Sequence, residues 1–174
     1  MRRELKAFMK ITKLLYILLV CSTLGCASLD ITIEEKKSEN YKIAVLPKYW
    51  KAIQDTQADA SFSSSRSAAT IFINSLCEKY NNASLDILSQ NLLRGVDDVE
   101  VEVEEFVTLA KRKAKHTVAQ GSLDGVQIKM NIYVLRKDYC LYDFTYTARP
   151  EHYEKDLKDF ENLLRSFKTT GAQK

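Results

Sequence analysis

The sequence is poor in the residues from which most enzyme sites are built. It has 5 glycines, 2 prolines and 2 histidines among 174 residues. It contains neither a glycine-rich phosphate loop nor a Gly-x-Ser-x-Gly nucleophile motif. His116 and His152 have no partners at metal-ligand spacing, and a zinc site needs a cluster of ligands. We therefore expect no catalytic residues, no metal site and no cofactor.

An apolar run of the length that spans a bilayer is also missing near the start of the chain. The run LLYILLVCSTLG covers residues 14–25, whereas a membrane helix needs about 20 residues. It follows the basic segment MRRELKAFMKITK and ends in small residues. This order is typical of a secretory signal, so we predict that residues 1–25 are a signal peptide.

Cys26 indicates which kind of signal this is. The boundary TLGC resembles the lipobox of bacterial lipoproteins, with Thr23 where that family most often has Leu. The resemblance implies cleavage before Cys26 and lipidation (palmitate included) of that cysteine. Ala27, rather than Asp, follows it, which by the enteric sorting pattern favours the outer membrane, facing the periplasm. The alternatives are an ordinary signal with a chance cysteine and an uncleaved membrane anchor.

Removing the signal changes the charge of the chain. The whole sequence has a formal net charge of +3, but the first 25 residues carry five bases and one acid. The remainder therefore has 21 bases and 22 acids, a net charge of −1. A nucleic-acid partner calls for a basic folded part, so we expect none.

Two cysteines remain for the folded domain, Cys77 and Cys140. An exported protein is exposed to oxidising conditions, so we predict a disulfide between them. The alternatives are two buried free thiols, or a cysteine paired with His116 as a nucleophile. Cys140 lies on an aromatic strand face, and buried cysteines are usually inert, which disfavours the nucleophile.

The chain after the signal has the length of one domain. We read residues 26–40 as the lipidated cysteine and a polar tether, residues 41–168 as the domain, and residues 169–174 as a tail. Three short strands are predicted from YKIAVLP, ADASFS and ATIFIN.

A helix is predicted next. Ser84 is its cap, Asp86 lies in its first turn, and Gly95 is its C′ stop.

The region from residue 97 to residue 148 alternates apolar and polar residues, as strands do. Asp124-Gly125 and Lys137-Asp138 mark turns between them. Pro150 opens a last helix whose apolar positions recur at helical spacing. Short connections between strands imply antiparallel pairing. The expected fold class is α+β, an antiparallel sheet with two amphipathic helices. The apolar positions of the helix are Tyr153, Leu157, Phe160, Leu164 and Phe167.

One strand carries a stripe of acids that alternate with Val99, Val101 and Val103. The stripe could bind a cation or a basic partner. The following strand is basic, and cross-strand pairing of acids with bases explains the stripe without a ligand. The acids are Asp97, Asp98, Glu100, Glu102, Glu104 and Glu105, and the bases are Lys111, Arg112, Lys113 and Lys115.

The element order of residues 41–168 resembles that of PsbP-like and DcrB-like proteins. The resemblance rests on a strand followed by Pro47 and Trp50, the ATIFIN strand, a Leu-rich helix, an antiparallel run and a last helix ending at Ser166-Phe167. It implies a sheet packed between helices. It also implies an accessory role beside a larger membrane complex, without a shared catalytic motif.

We therefore expect a lipid-anchored envelope protein, not an enzyme, that acts as a binding or assembly module. Its partners would be the membrane, through the lipid on Cys26, and an envelope protein. The binding residues are left open. The alternatives are an enzyme with a nonstandard active site and a lipoprotein that binds a small ligand.

Overall fold

The computed structural model describes residues 41–54, 57–77 and 82–170. They form nine strands, two helices and one 3-10 turn in the described part of the chain. In order they are β1 (Tyr41–Lys42), β2 (Trp50–Ala52), β3 (Ala60–Ser64), β4 (Thr70–Cys77), α1 (Leu85–Asn91), β5 (Asp97–Leu109), β6 (Arg112–Leu123), β7 (Val126–Lys137), β8 (Cys140–Ala148), the 3-10 turn (Pro150–His152), α2 (Tyr153–Ser166) and β9 (Lys168–Thr169).

Seven strands form one antiparallel sheet in the order β2-β3-β4-β8-β7-β6-β5. The long strands β5 to β8 follow each other as hairpins, so their order in the sheet runs with the sequence. Strand β4 pairs with β8 across a large sequence separation, from Thr70 opposite Thr147 to Cys77 opposite Cys140. Strands β1 and β9 form a separate antiparallel pair, which brings the start and the end of the domain together.

Helix α2 covers one face of this sheet. Even-numbered residues of β8 point toward it because side chains alternate along a strand. Phe160 and Leu163 are fully buried on the helix side, and the ring of Phe167 packs edge-on against Phe144 at 4.9 Å. The predicted aromatic face of β8 and the predicted apolar stripe of α2 are therefore confirmed as one core. The residues of β8 in this core are Cys140, Tyr142, Phe144, Tyr146 and Ala148.

Helix α1 covers the opposite face. The predicted stripe of β7 packs there against leucines of the helix. Lys115 of β6 adds a polar link, since its buried ammonium group lies 2.6 Å from Asp86 of α1 and 3.1 Å from Glu104 of β5. The fold is thus an antiparallel sheet with a helix on each face, as expected. The stripe consists of Ile128, Met130, Ile132 and Val134.

Strand β5 departs from the predicted pattern. It has register irregularities between Asp97 and Glu100 and between Val101 and Val103. Val99 and Val101 are 39% and 47% exposed, so the expected common apolar face is wrong for these two. As the outermost strand, β5 has a partner on one side only, and bulges with charges are common at such edges.

Helix α1 begins as predicted and ends earlier than expected. The Ser84 hydroxyl accepts a hydrogen bond from the Ile87 amide at 3.3 Å, which satisfies a free donor of the first turn. The helix stops at Asn91 with Leu92 as its C-cap. Gly95 has a φ of +86° in the turn that follows, so it serves that turn and does not terminate the helix.

Two other local predictions need correction. The turn between β7 and β8 is centred on Asp138 and Tyr139, which both have positive φ, one residue later than predicted. Only Tyr41–Lys42 of the expected first strand is extended in a ladder. The Asp124-Gly125 turn lies where predicted, with both residues at positive φ.

Among the described residues, no helix combines the length and the apolarity needed to cross a membrane.

Candidate functional site

An open groove lies between helix α2 and strands β5 to β7, on the face that α2 covers. It encloses about 310 Å³. Its walls combine apolar side chains with charges of both signs, a mixture suited to a protein or small-molecule ligand. The lining residues are Glu105, Val107, Thr108, Leu109, His116, Tyr133, Glu161, Leu164 and Arg165. This set, called the groove below, is the candidate binding site.

The floor of the groove is held rigid by His116. Its Nδ1 lies 3.1 Å from a Glu105 carboxylate oxygen, and its Nε2 lies 3.0 Å from the side-chain oxygen of Asn131. Its ring stacks on Tyr133 with centroids 4.3 Å apart. Both ring nitrogens therefore lie within hydrogen-bonding distance of a side-chain oxygen.

Tyr133 is a half-buried polar residue of the groove. Burial, together with the negative charges of Glu161 and Glu105, raises the pKa of Tyr133. A protonated tyrosine hydroxyl can both donate and accept a hydrogen bond. The groove thus contains a tyrosine that interacts electrostatically with a carboxylate on the helix and a carboxylate on the sheet.

The other sequence-predicted site residues lie elsewhere. Cys77 and Cys140 are joined by a disulfide, with Cα atoms 4.1 Å apart, so neither is a thiol that His116 could activate. His152 begins helix α2, and its Nδ1 lies 3.3 Å from the carbonyl oxygen of Ser67. Cys26 lies outside the described residues.

Two acids of the stripe pair with lysines of neighbouring strands. Glu104 contacts Lys115, as predicted for a hairpin of β5 and β6. Glu102 instead reaches the ammonium group of Lys129 on β7, at 2.6 Å. Within the described part of the chain, no group of three or more His, Cys, Asp or Glu side chains is arranged to hold a metal ion.

Sequence reasoning missed a buried carboxylate, that of Asp156 on α2. It accepts hydrogen bonds from the hydroxyls of Ser64 and Ser67 and from the guanidinium group of Arg66. Ser64 is the last residue of β3, and Arg66 and Ser67 lie in the connection from β3 to β4. One signal was available: Asp156 lies three residues after Tyr153 and four before Phe160, within the apolar stripe of the helix.

The neighbouring acid Asp159 makes a second link of the same kind. One of its carboxylate oxygens accepts from the Tyr49 hydroxyl at 2.5 Å and from the indole nitrogen of Trp50 at 3.0 Å. Arg66 lies over the Tyr49 ring, 4.4 Å from its centroid. Two carboxylates of α2 therefore fix the β2–β4 side of the sheet, which identifies them as structural residues.

A third acid, Asp143 of β8, gives a prediction. Burial raises its pKa to about 6, against the opposing effect of a hydrogen bond from the Asn74 amide, which is 2.7 Å long. A raised pKa means that the folded state binds the proton more tightly, so stability falls as the pH rises from about 4 to about 6. Asp143→Asn should therefore raise the free energy of unfolding at pH 7 by up to about 3 kcal/mol.

The measurement is urea unfolding of both proteins between pH 4 and pH 7. The gain should shrink toward pH 4, where the aspartate is already protonated in the folded state. Asp124→Asn, in the exposed hairpin turn, is a matched control that should give no such pH-dependent gain. A gain that is equal at pH 4 and pH 7 would contradict the prediction.

The sequence comparisons find no match, whereas the structural comparisons find solved structures with a similar fold. No protein-family model matches the chain, and no curated protein matches its sequence significantly. The structure is similar to that of LpqN, described as involved in cell envelope biogenesis of Mycobacterium tuberculosis, with a TM-score of 0.56 and 9% identity over 79% of this chain and 86% of that one.

Two further solved structures share the architecture. Cyanobacterial PsbP (CyanoP) from Synechocystis sp. PCC 6803 has a TM-score of 0.55 and 10% identity, covering 80% of this chain and 95% of that one. A point mutant of the protein Mog1 has a TM-score of 0.54 and 11% identity, covering 80% and 97%. At these identities the similarity defines the fold, which is PsbP-like as the sequence resemblance implied.

Proposed function

We propose that this protein is a lipid-anchored protein of the bacterial cell envelope that acts as a non-catalytic binding or assembly module for a membrane-associated complex. The observation that carries the binding role is the groove. It is open and preformed, its floor is fixed by hydrogen bonds and stacking, and it mixes apolar and charged walls. Both nitrogens of its histidine lie within hydrogen-bonding distance of protein side chains, which holds the ring in place at the floor.

The cellular location is supported by three independent features. The TLGC boundary resembles a lipobox. The Cys77–Cys140 disulfide suits an oxidising compartment. One structural neighbour is described as involved in cell envelope biogenesis, and this chain shares its fold. Together they favour an extracytoplasmic domain held at a membrane by Cys26, and Ala27 favours the outer membrane.

Lipidation is tested by Cys26→Ser. The variant should accumulate as an unprocessed precursor and should not incorporate a labelled fatty acid. Both the cleavage of the signal and the attachment of lipid need the cysteine sulfur. Cys21→Ser, five residues earlier in the apolar run, is the matched control and should process normally. Unchanged labelling of Cys26→Ser would refute the anchor.

The binding role is tested by photocrosslinking in intact membranes. A photoreactive residue replaces Thr108 or Glu161 in the groove, and the controls carry it at Lys51 or Glu154, which are exposed elsewhere. The expected result is one and the same protein crosslinked from both groove positions and from neither control. An identical pattern from all four positions, or no adduct from the groove, would overturn the assignment.

A further inference from the structure

The end of the domain at which Tyr41 enters is strongly cationic. The β5–β6 turn, the β7–β8 turn and the β1–β9 pair meet there, because alternate hairpin turns of an antiparallel sheet lie at the same end. The Thr169 hydroxyl, in β9, donates to Asp138 of the β7–β8 turn, which shows that these elements are in contact. We call this end the entry pole. Its bases are Lys42, Lys111, Arg112, Lys137, Arg165 and Lys168.

Half of these cations have no acid beside them among the described residues. Lys137 lies 3.6 Å from Asp138, and Arg165 lies 3.6 Å from Glu161. Arg112 also interacts electrostatically with Asp138, which leaves Lys42, Lys111 and Lys168 without an ion pair within 4 Å in the described part of the chain. Four of the six bases line one cavity of about 400 Å³, namely Lys111, Lys137, Arg165 and Lys168.

The opposite end of the domain holds more acids than bases. It contains the Asp124-Gly125 turn, the start of β5 and the first turns after Pro150, with Arg94 and Arg149 beside the acids. The acids at that end are Asp97, Asp98, Asp124, Glu151 and Glu154.

The entry pole also holds the two most exposed large hydrophobic side chains of the described residues. Val45 is 97% exposed and Tyr139 is 72% exposed. Val45 follows Ala44, whose amide donates to the Ser166 hydroxyl at the end of α2 at 2.7 Å. Tyr139 is at the tip of the β7–β8 turn. A tyrosine beside a group of bases is typical of surfaces at a membrane interface.

We infer that the entry pole rests on an anionic bilayer surface, with its bases against phospholipid headgroup phosphates and Tyr139 among the headgroups. Two arguments favour a bilayer over other anions. The charges are spread over a whole end of the domain, as a surface ligand requires. The chain before the described residues joins that same end at Tyr41, and the 14 residues between Cys26 and Tyr41 are enough for a span of only roughly 20 Å if they form a coil.

This inference adds an orientation to the proposed function and rests on it only for the tether. A domain held by Cys26 would have its cationic end toward the lipid, leaving the groove accessible from the side. Each base near an anionic surface raises the association constant for that surface roughly five-fold. The attraction is screened by salt, since the Debye length falls from about 10 Å at 0.1 M to about 3 Å at 1 M.

The test uses the full chain reconstituted in phosphatidylcholine vesicles, with and without phosphatidylglycerol, that contain brominated lipid. Tyr139→Trp places a fluorescent indole at the entry pole, and Leu123→Trp places one beside the turn at the opposite end. Trp50 is buried and common to both proteins. Bromine quenches only an indole that contacts the lipid, so strong quenching is expected at position 139 and little at position 123.

Charge variants test the recognition. Lys111→Asn with Lys168→Gln should weaken the docked state roughly 25-fold; asparagine suits the positive φ of position 111. Lys155→Gln with Lys158→Gln removes the same charge from exposed positions of α2 and should leave quenching unchanged. Quenching should also disappear without phosphatidylglycerol and at 1 M salt.

Several outcomes would overturn the inference. One is equal quenching at positions 139 and 123. Another is quenching at position 139 that is as strong on vesicles without phosphatidylglycerol as on vesicles with it. The third is a loss of quenching in the Lys155→Gln/Lys158→Gln control that equals the loss in Lys111→Asn/Lys168→Gln. Binding of inorganic phosphate without quenching at position 139 would make the pole a site for a free anion. The chain would be held on the vesicle either by an acyl group or by an uncleaved segment of residues 14–25. A failure of the quenching test is therefore distinct from a failure of lipidation.

Discussion

Asp156→Ala should lower the free energy of unfolding by about 2–5 kcal/mol, because it leaves buried donors without an acceptor. Ser64 and Ser67 are 2% and 4% exposed, and both donate their hydroxyl hydrogens to Asp156. A buried donor without a partner costs about 1–3 kcal/mol. The change also removes the partner of Arg66, which is half exposed and can turn to water at little cost.

Asp156→Ala should remove a few local hydrogen bonds and thereby lower the stability of the whole domain. The three donors lie at the end of β3 and in the connection to β4, about 90 residues from Asp156, so this carboxylate holds one side of the sheet to α2. Urea unfolding of the mature chain at pH 7 measures the change. Glu154→Ala, two residues away and exposed, should change stability by no more than about 0.5 kcal/mol.

The pH dependence separates this role from a simple loss of packing. Burial by itself would raise the pKa of Asp156, but the hydrogen bonds from Ser67, Ser64 and Arg66 outweigh it and hold the pKa below its ordinary value. The stabilisation is therefore present above about pH 4 and lost as the pH falls through the folded-state pKa. The gap between the wild type and Asp156→Ala should narrow below pH 4, and a constant gap would contradict the assigned role.

The parts of the fold that could be predicted are those whose signal is local. Each of these signals comes from residues that are close together in the sequence. They are the alternation in β7 and β8, the Asp124-Gly125 turn and the helical stripe from Tyr153 to Phe167. Period-two and period-3.6 patterns directly determine which side chains share a face. These patterns were sufficient to predict an antiparallel sheet with two amphipathic helices.

The parts that could not be predicted depend on contacts between distant segments. The first irregularity of β5, between Asp97 and Glu100, lies opposite Gly121, where an added Cβ would come within 2.7 Å of the Asp97 carbonyl oxygen. The alternation of Val99, Val101 and Val103 contains no sign of this. The floor of the groove likewise needs Glu105, His116 and Asn131 brought together from three strands, and none of them has a motif around it.

The disulfide prediction lies between these cases. Compartment and elimination indicated that Cys77 would pair with Cys140, but the register that places them opposite each other in β4 and β8 is a nonlocal property. The structure contains the bond. We expect its removal to be the second large loss of stability, about 4 kcal/mol, since the bond closes a loop of 63 positions and restricts the unfolded chain.

The test compares the wild type with Cys77→Ala/Cys140→Ala, each with and without a reductant. Alanine is preferred to serine because both positions are buried, at 2% and 4% exposure, and a hydroxyl there would lack a partner. Reduction should destabilise the wild type by about 4 kcal/mol and leave the double variant unchanged. Because the variant also loses two sulfur atoms from the core, it should be slightly less stable than the reduced wild type.

The two measurements together separate the bond from the packing of the cysteines. The change caused by reductant in the wild type reports the cross-link, and the difference between the reduced wild type and the double variant reports the lost sulfur contacts. If reduction costs less than about 1 kcal/mol, the β4–β8 pairing must already restrict the unfolded chain, and the entropic account fails. Two alkylatable thiols in the freshly isolated, unfolded protein would show that the bond does not form in the cell.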